Sequence, residues 1–179
     1  EPGRTIRIPS SSDYSFGQGG SKASVFFDYD ARLKGECAKS IFSYPLTSSF
    51  GDRLHPIRRK ILPHLGIDLG LREGTNVCAI RGGTVVRASS DQGGFGTQVV
   101  IEASDGSCDS YNHLSAYGVR EGDAIAAGSL IAKSGSTGLS TGPHLHFGRS
   151  SKCVFGGRYA LSKKYFVDPL KFANDYRYA

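Results

Sequence analysis

The sequence contains no tryptophan and no methionine among its 179 residues. Without Met the chain does not open on an initiator, so Glu1 is expected to follow a processing site or an artificial boundary, with a signal peptide, if there was one, already removed. No run of about 18 apolar residues occurs, and no membrane-spanning helix is expected. A fixed-period repeat and a low-complexity tract are also missing. The four cysteines (Cys37, Cys78, Cys108, Cys153) avoid the C-x-x-C pairs of structural zinc sites, which points to disulfides in an oxidising compartment. Zinc-finger spacing, an aromatic RNA-binding pattern and a basic helix are lacking too, so a nucleic-acid partner is not expected despite the charge of +6. That charge suits an anionic surface such as a cell wall.

What is abundant is glycine, at 24 residues, with 10 Phe and 9 Tyr. Short apolar runs recur from about Ile41, broken by Gly82-Gly83, Gly93-Gly94, Asp105-Gly106, Gly122-Asp123 and Gly135. This rhythm predicts an all-β fold, an antiparallel sheet closing into a sandwich or barrel. One hairpin is expected from Val77–Arg81 and Thr84–Ala88 around Gly82-Gly83. A second is expected from Thr97–Glu102 and Cys108–Leu114 around Asp105-Gly106. Further strands are expected at Ser129–Lys133 and Pro143–Phe147. Asp168-Pro169 reads as the N-cap and first turn of a short C-terminal helix. Residues 1–40 read as an N-terminal arm, with Ala23–Tyr29 its one strand-like stretch, 41–150 as the core, and 151–179 as a segment packing on it.

Four of the five histidines fall in three local patterns. In His64-Leu65-Gly66-Ile67-Asp68, strand alternation places His64 and Asp68 on one face, with Gly66 leaving room for a close approach. In His144-Leu145-His146, the same alternation projects both imidazoles from one face over a buried Leu145. In Tyr111-Asn112-His113, Tyr111 and His113 share a face. Cys108 and Asn112 then take the other face, so Cys108 is expected to be structural rather than a ligand. Two His and one Asp on a divalent zinc leave a charge of about +1, enough to acidify water and polarise a carbonyl. The remaining histidines can move protons near neutral pH. The residues alone leave open which of His144 and His146 is the ligand. His55, ahead of Pro56, reads as structural or groove-lining.

These residues resemble the lysostaphin and LytM-type zinc endopeptidases of peptidoglycan. The resemblance runs in order from about Phe42 to Ser150, roughly three fifths of the chain. It takes in Phe50-Gly51-Asp52-Arg53-Leu54-His55-Pro56, His64-x-Gly66-x-Asp68 and Gly74-Thr75-x-Val77-x-Ala79. Tyr111-x-His113-Leu114-Ser115 and Gly135-x-Thr137-Gly138-x-Ser140-Thr141-Gly142-Pro143-His144-Leu145-His146-Phe147 complete the series. The resemblance implies one Zn2+ held by His64, Asp68 and His146. His113 and His144 would line the catalytic centre, one activating water and the other stabilising developing negative charge. It implies a periplasmic or secreted enzyme, expected to be a monomer, that cuts peptidoglycan stem peptides or cross-bridges. A D-alanine–diamino acid bond is favoured over a Gly-Gly bridge. The alternative is a catalytically inactive LytM-like module that activates a cell-wall amidase; such modules lose metal ligands, and all five residues are present here.

Three parts depart from the family pattern. The N-terminal arm has no counterpart, and either supports the fold or lies in the groove as an inhibitory segment. Ile57–Pro63 lacks a glycine that many relatives carry. The cysteines are outside the motif; a Cys78–Cys108 pair, with Cys37–Cys153 pinning the arm to the segment after the last core strand, is the expected connectivity.

Overall fold

The computed structural model describes residues 37, 39–90, 94–155 and 161–176, with side chains to residue 172. The N-terminal arm, including the strand expected at Ala23–Tyr29, lies outside the described residues apart from Cys37 and Lys39–Ser40. Thirteen strands follow: β1 Leu46–Ser48, β2 Gly51–Leu54, β3 Ile61–His64, β4 Ile67–Leu69, β5 Asn76–Cys78, β6 Gly83–Ser90, β7 Thr97–Glu102, β8 Cys108–Leu114, β9 Ala116–Tyr117, β10 Ala124–Ile125, β11 Leu130–Lys133, β12 Leu145–Ser150 and β13 Phe166–Val167. The only helices among the described residues are of the 3₁₀ type, at Ile41–Ser43, Lys163–Tyr165 and Pro169–Tyr176. In the last of these, Asp168 accepts from the Leu170 N–H at 3.0 Å, as expected of an N-cap. No helix among the described residues is long and apolar enough to cross a membrane.

The strands form an antiparallel all-β fold. The large sheet runs β1-β4-β12-β8-β7-β6-β10, and β13 extends it by pairing with β12. A three-stranded sheet, β5-β11-β9, packs against one face, and β2-β3 stands apart as a hairpin. The core lies between the two larger sheets: Ile67, Leu69, Val85, Val99, Ile101, Tyr111, Leu145 and Phe147 from one meet Val77, Ile131 and Ala132 from the other. Tyr111 and Phe147 are fully buried, with ring centroids 5.2 Å apart. Each removes enough apolar surface from water to be worth about 2–3 kcal/mol.

The hairpin expected around Asp105-Gly106 is present as β7 and β8. The one expected around Gly82-Gly83 is not. β5 pairs with β11, whereas β6 pairs with β7 and β10. Between them the chain crosses from the small sheet to the large one. The Ile80 N–H donates to the Tyr111 hydroxyl at 2.9 Å instead of to a neighbouring strand. A buried tyrosine hydroxyl thus takes the donor that a hairpin ladder would have satisfied.

The disulfides also differ from expectation. Cys37 bonds Cys78, with Cα atoms 5.9 Å apart, and Cys108 bonds Cys153, with Cα atoms 5.1 Å apart. Val77 faces the core, so its neighbour Cys78 points outward from the small sheet. Cys108 points from the opposite side of the large sheet into a second apolar cluster with Val100, Leu161, Phe155 and Phe166. The core therefore separates Cys78 from Cys108, and the segment after β12 passes over the face that Cys108 presents. As expected, Cys108 is structural.

Candidate active site

His64 ends β3, and Asp68 is the middle residue of β4. They are not on one continuous strand, because Leu65 and Gly66 interrupt it. They converge nonetheless, His64 Nε2 lying 3.1 Å from Asp68 Oδ1. His146 sits on β12 directly opposite Asp68 in the ladder. Its Nδ1 is 2.9 Å from Asp68 Oδ1 and 3.1 Å from His64 Nε2. Gly66 permits this closeness: a Cβ there would stand 2.4 Å from the Phe147 carbonyl oxygen and 2.8 Å from His146 Nε2.

The surrounding bonds set which atoms can accept. The His64 Nδ1–H donates to the Ser49 carbonyl at 2.7 Å, which leaves Nε2 with a lone pair. Arg53 donates to Asp68 Oδ2 at 3.2 Å, so Asp68 turns only Oδ1 towards the histidines. Three buried donor atoms therefore meet around one point with at most one proton, that of His146 Nδ1, to separate them. Lone pairs so placed repel unless a cation lies between them. Spacings near 3 Å approach the edge of a tetrahedron with bonds of about 2.0–2.1 Å, roughly 3.3 Å, so the set fits a zinc-sized ion. The His64–Asp68–His146 donor set can thus hold a metal.

His113 and His144 complete the cluster, with ring centroids 4.7 Å apart. The His144 Nδ1–H donates to the Gly142 carbonyl at 2.8 Å, and its Nε2 lies 3.7 Å from Asp68 Oδ1. The His113 Nδ1–H donates to the Thr137 carbonyl at 2.8 Å. Both rings thereby leave Nε2 for the groove. Regular alternation explains His144 and His146, but not His113. Tyr111 points into the core and pairs with Phe147, while Asn112 pairs with His146. Strict parity would send His113 into the core as well. Instead the β7–β8 register slips between Thr97 and Val99, and His113 takes a left-handed φ of 61°. That bulge turns the imidazole out to the face that carries Asp68 and His146.

Burial and hydrogen bonding tune these groups. Burial alone would raise the Asp68 pKa, but the adjoining His146 and His64 imidazoles outweigh it and hold the carboxyl far below the usual range. Burial, reinforced by the nearby His146, lowers His113 to about 4, so it is neutral at physiological pH. Burial likewise lowers His146, against the pull of Asp68.

The site opens into a groove of about 900 Å3. The β2–β3 hairpin supplies Arg53, His55 and Leu62, the Leu139–Pro143 loop forms another wall, and Phe95 borders His146. His55 serves both readings of the sequence, since it lines the groove and its Nδ1 accepts the N–H groups of Ile57 and Arg58 at 3.3 and 3.2 Å. Two participants were not singled out from sequence as site residues. Arg53 stood in the Phe50–Pro56 motif without a role, because its carboxylate partner is 15 residues away. Thr137, in the closing motif, orients His113 through a backbone carbonyl, which no side-chain pattern reveals.

The fold and site define an all-β protein with a histidine–aspartate donor set that can hold a metal. The pattern of Peptidase family M23 matches residues 62–155, and the chain belongs to that family. It is 42% identical over 102 residues to the DD-carboxypeptidase/endopeptidase Mpg of Neisseria meningitidis, covering 57% of this chain and 23% of that protein. The catalytic domain of the antimicrobial peptidase lysostaphin from Staphylococcus simulans superposes with a TM-score of 0.64 at 35% identity, covering 75% of this chain and 95% of that one. A zinc-containing peptidase from Vibrio cholerae superposes with a TM-score of 0.59 at 30% identity, covering 74% of this chain and 39% of that one. The chain spans about a quarter of the length of the curated relatives it matches.

Proposed function

We propose that this chain is a zinc-dependent endopeptidase that hydrolyses peptide cross-links of bacterial peptidoglycan, acting as a monomer in the periplasm or outside the cell. The D-alanine–diamino acid bond is the preferred target and a Gly-Gly bridge the second. The observation that carries this reading is the convergence of His64 Nε2, Asp68 Oδ1 and His146 Nδ1 at 2.9–3.1 Å beside two more imidazoles in an open groove. Kinship with a named DD-carboxypeptidase/endopeptidase supports the choice of bond. Residues 41–150 serve as the peptidase core, with 151–179 as its packing segment.

The three donors would hold one zinc ion, which supplies Lewis acidity to polarise a scissile carbonyl and to acidify water. Arg53 and the Ser49 carbonyl hold Asp68 and His64 in their donating orientations. His113 and His144, fixed through Nδ1, present Nε2 to the substrate. One takes a proton there and returns it to the leaving amine. The other would steady charge developing on the carbonyl oxygen.

The runner-up reading, an inactive module that activates an amidase, has against it the full set of donors and flanking histidines. Metal analysis of the purified protein and mass spectrometry of digested cross-linked muropeptides of both wall chemistries decide the matter. About one equivalent of zinc with new monomeric products is expected. Less than about a tenth of an equivalent after zinc is supplied, or intact cross-links with both substrates, would overturn the enzyme reading.

A further inference from the structure

Among the described residues, four charged side chains line the groove: Arg53, Arg58, Asp68 and Lys163. Asp68 is the one acid among them, and both its oxygens are engaged, Oδ1 by the two histidines and Oδ2 by Arg53. Arg53 is correspondingly committed to Asp68. Two cations remain, Arg58 and Lys163, both exposed and neither in an ion pair among the described residues.

Each sits on a tightly held piece of backbone. The Arg58 N–H is bound by His55 Nδ1 at 3.2 Å, and the next residue, Arg59, adopts a left-handed φ of 53° while its N–H donates to the His55 carbonyl. Lys163 opens the 3₁₀ turn to Tyr165, whose carbonyl accepts the Ser151 N–H at 2.8 Å. Both residues also lie outside the stretch 62–155 shared with the family. Their charge belongs to this chain's own groove walls.

We propose that Arg58 and Lys163 form a carboxylate-reading subsite, selecting peptides that carry a free carboxylate beside the scissile amide. This inference rests on the peptidase reading above and deepens it. In a diamino dicarboxylic acid, where each amine shares its carbon with a carboxyl, an amide on one amine leaves that carbon's carboxylate next to the bond to be cut. A glycine bridge offers no such charge. Opposite charges attract only modestly at an exposed site, so two contacts are expected to give a preference of about five- to tenfold.

The test uses two peptides containing a D-alanine–diamino acid amide, identical except that the flanking carboxylate is free in one and amidated in the other. Affinity is measured by calorimetry on chelator-stripped full chain, and kcat/KM on the zinc-loaded chain. The acid is expected to bind about five- to tenfold more tightly than the amide at low salt, a ratio that shrinks as salt is added. In R58Q/K163Q the ratio falls to within about twofold, whereas R120Q, outside the groove, keeps it. Equal affinity of the unaltered chain for the two peptides, no binding of either at millimolar concentration, or a ratio that survives in R58Q/K163Q would each overturn the subsite. Preferential binding of the acid without cleavage of either peptide would sustain the subsite and reject the peptidase reading instead.

Discussion

Asp68 and His146 face each other across the β4–β12 ladder, and Asp68 Oδ1 lies 2.9 Å from His146 Nδ1. Antiparallel register thus does most of the work of assembling the candidate metal site, because directly opposed residues on one face have Cβ atoms only about 4.5–5.5 Å apart. Only His64 arrives from outside that ladder, and the missing Cβ of Gly66 lets the His146 ring lie close.

Replacing His146 by Ala should abolish metal binding and activity together, since two donors remain and one is held by Arg53. His113→Ala should retain close to one equivalent of zinc yet lose about 10²–10⁴-fold in turnover. Zinc content and peptide hydrolysis, measured on the same preparations, separate the two roles. Zinc retained by His146→Ala would refute the assignment of donors.

Arg53→Gln should loosen zinc about 10- to 100-fold, as expected for loss of a residue that orients a ligand. Its side chain is only partly buried, so little change in folding stability is expected. Competition with a chromophoric chelator reads the first quantity and urea unfolding of the stripped protein the second. Unchanged zinc affinity would show that Asp68 needs no help from Arg53.

Acid should weaken the metal-stripped fold through His113. Its folded pKa of about 4 lies below the ordinary 6.5, so between these values the unfolded chain binds a proton that the folded chain refuses. Stability therefore rises with pH across that window and is lost as pH falls from 6.5 towards 4. The full effect is on the order of 3 kcal/mol. Asp68, with its depressed pKa, adds a loss of the same sign below about 3.8. Urea midpoints of the stripped protein at several pH values should fall across the upper window, and His113→Gln should flatten that fall. An equally steep dependence in the variant would exclude His113 as its source.

Peptide mapping under non-reducing conditions should recover Cys37–Cys78 and Cys108–Cys153 links. Opening the second with Cys108→Ser/Cys153→Ser should cost about 2–4 kcal/mol, since it closes a loop with a sequence separation of 45. A Cys78–Cys108 peptide would contradict the packing of the two sheets on opposite sides of the core.

Patterns carried by a few consecutive residues were legible without the structure. Alternation along His144-Leu145-His146 put Leu145 in the core and both imidazoles on the other face, because β12 is regular and period 2 is a property of the extended backbone itself. The β7–β8 hairpin was legible for the same reason, its turn being local. Tertiary structure decided the rest. It bent the backbone at His113 so that a residue expected to accompany Tyr111 leaves the core, and it broke His64–Asp68 across two strands while keeping their side chains together. It parted the strands around Gly82-Gly83, which in turn set the cysteines in different pairs. Each of these depends on which surfaces pack and which strands find partners far along the chain. Such closures follow from the folded whole, whereas a periodic pattern reports only the face a residue takes if its strand stays regular.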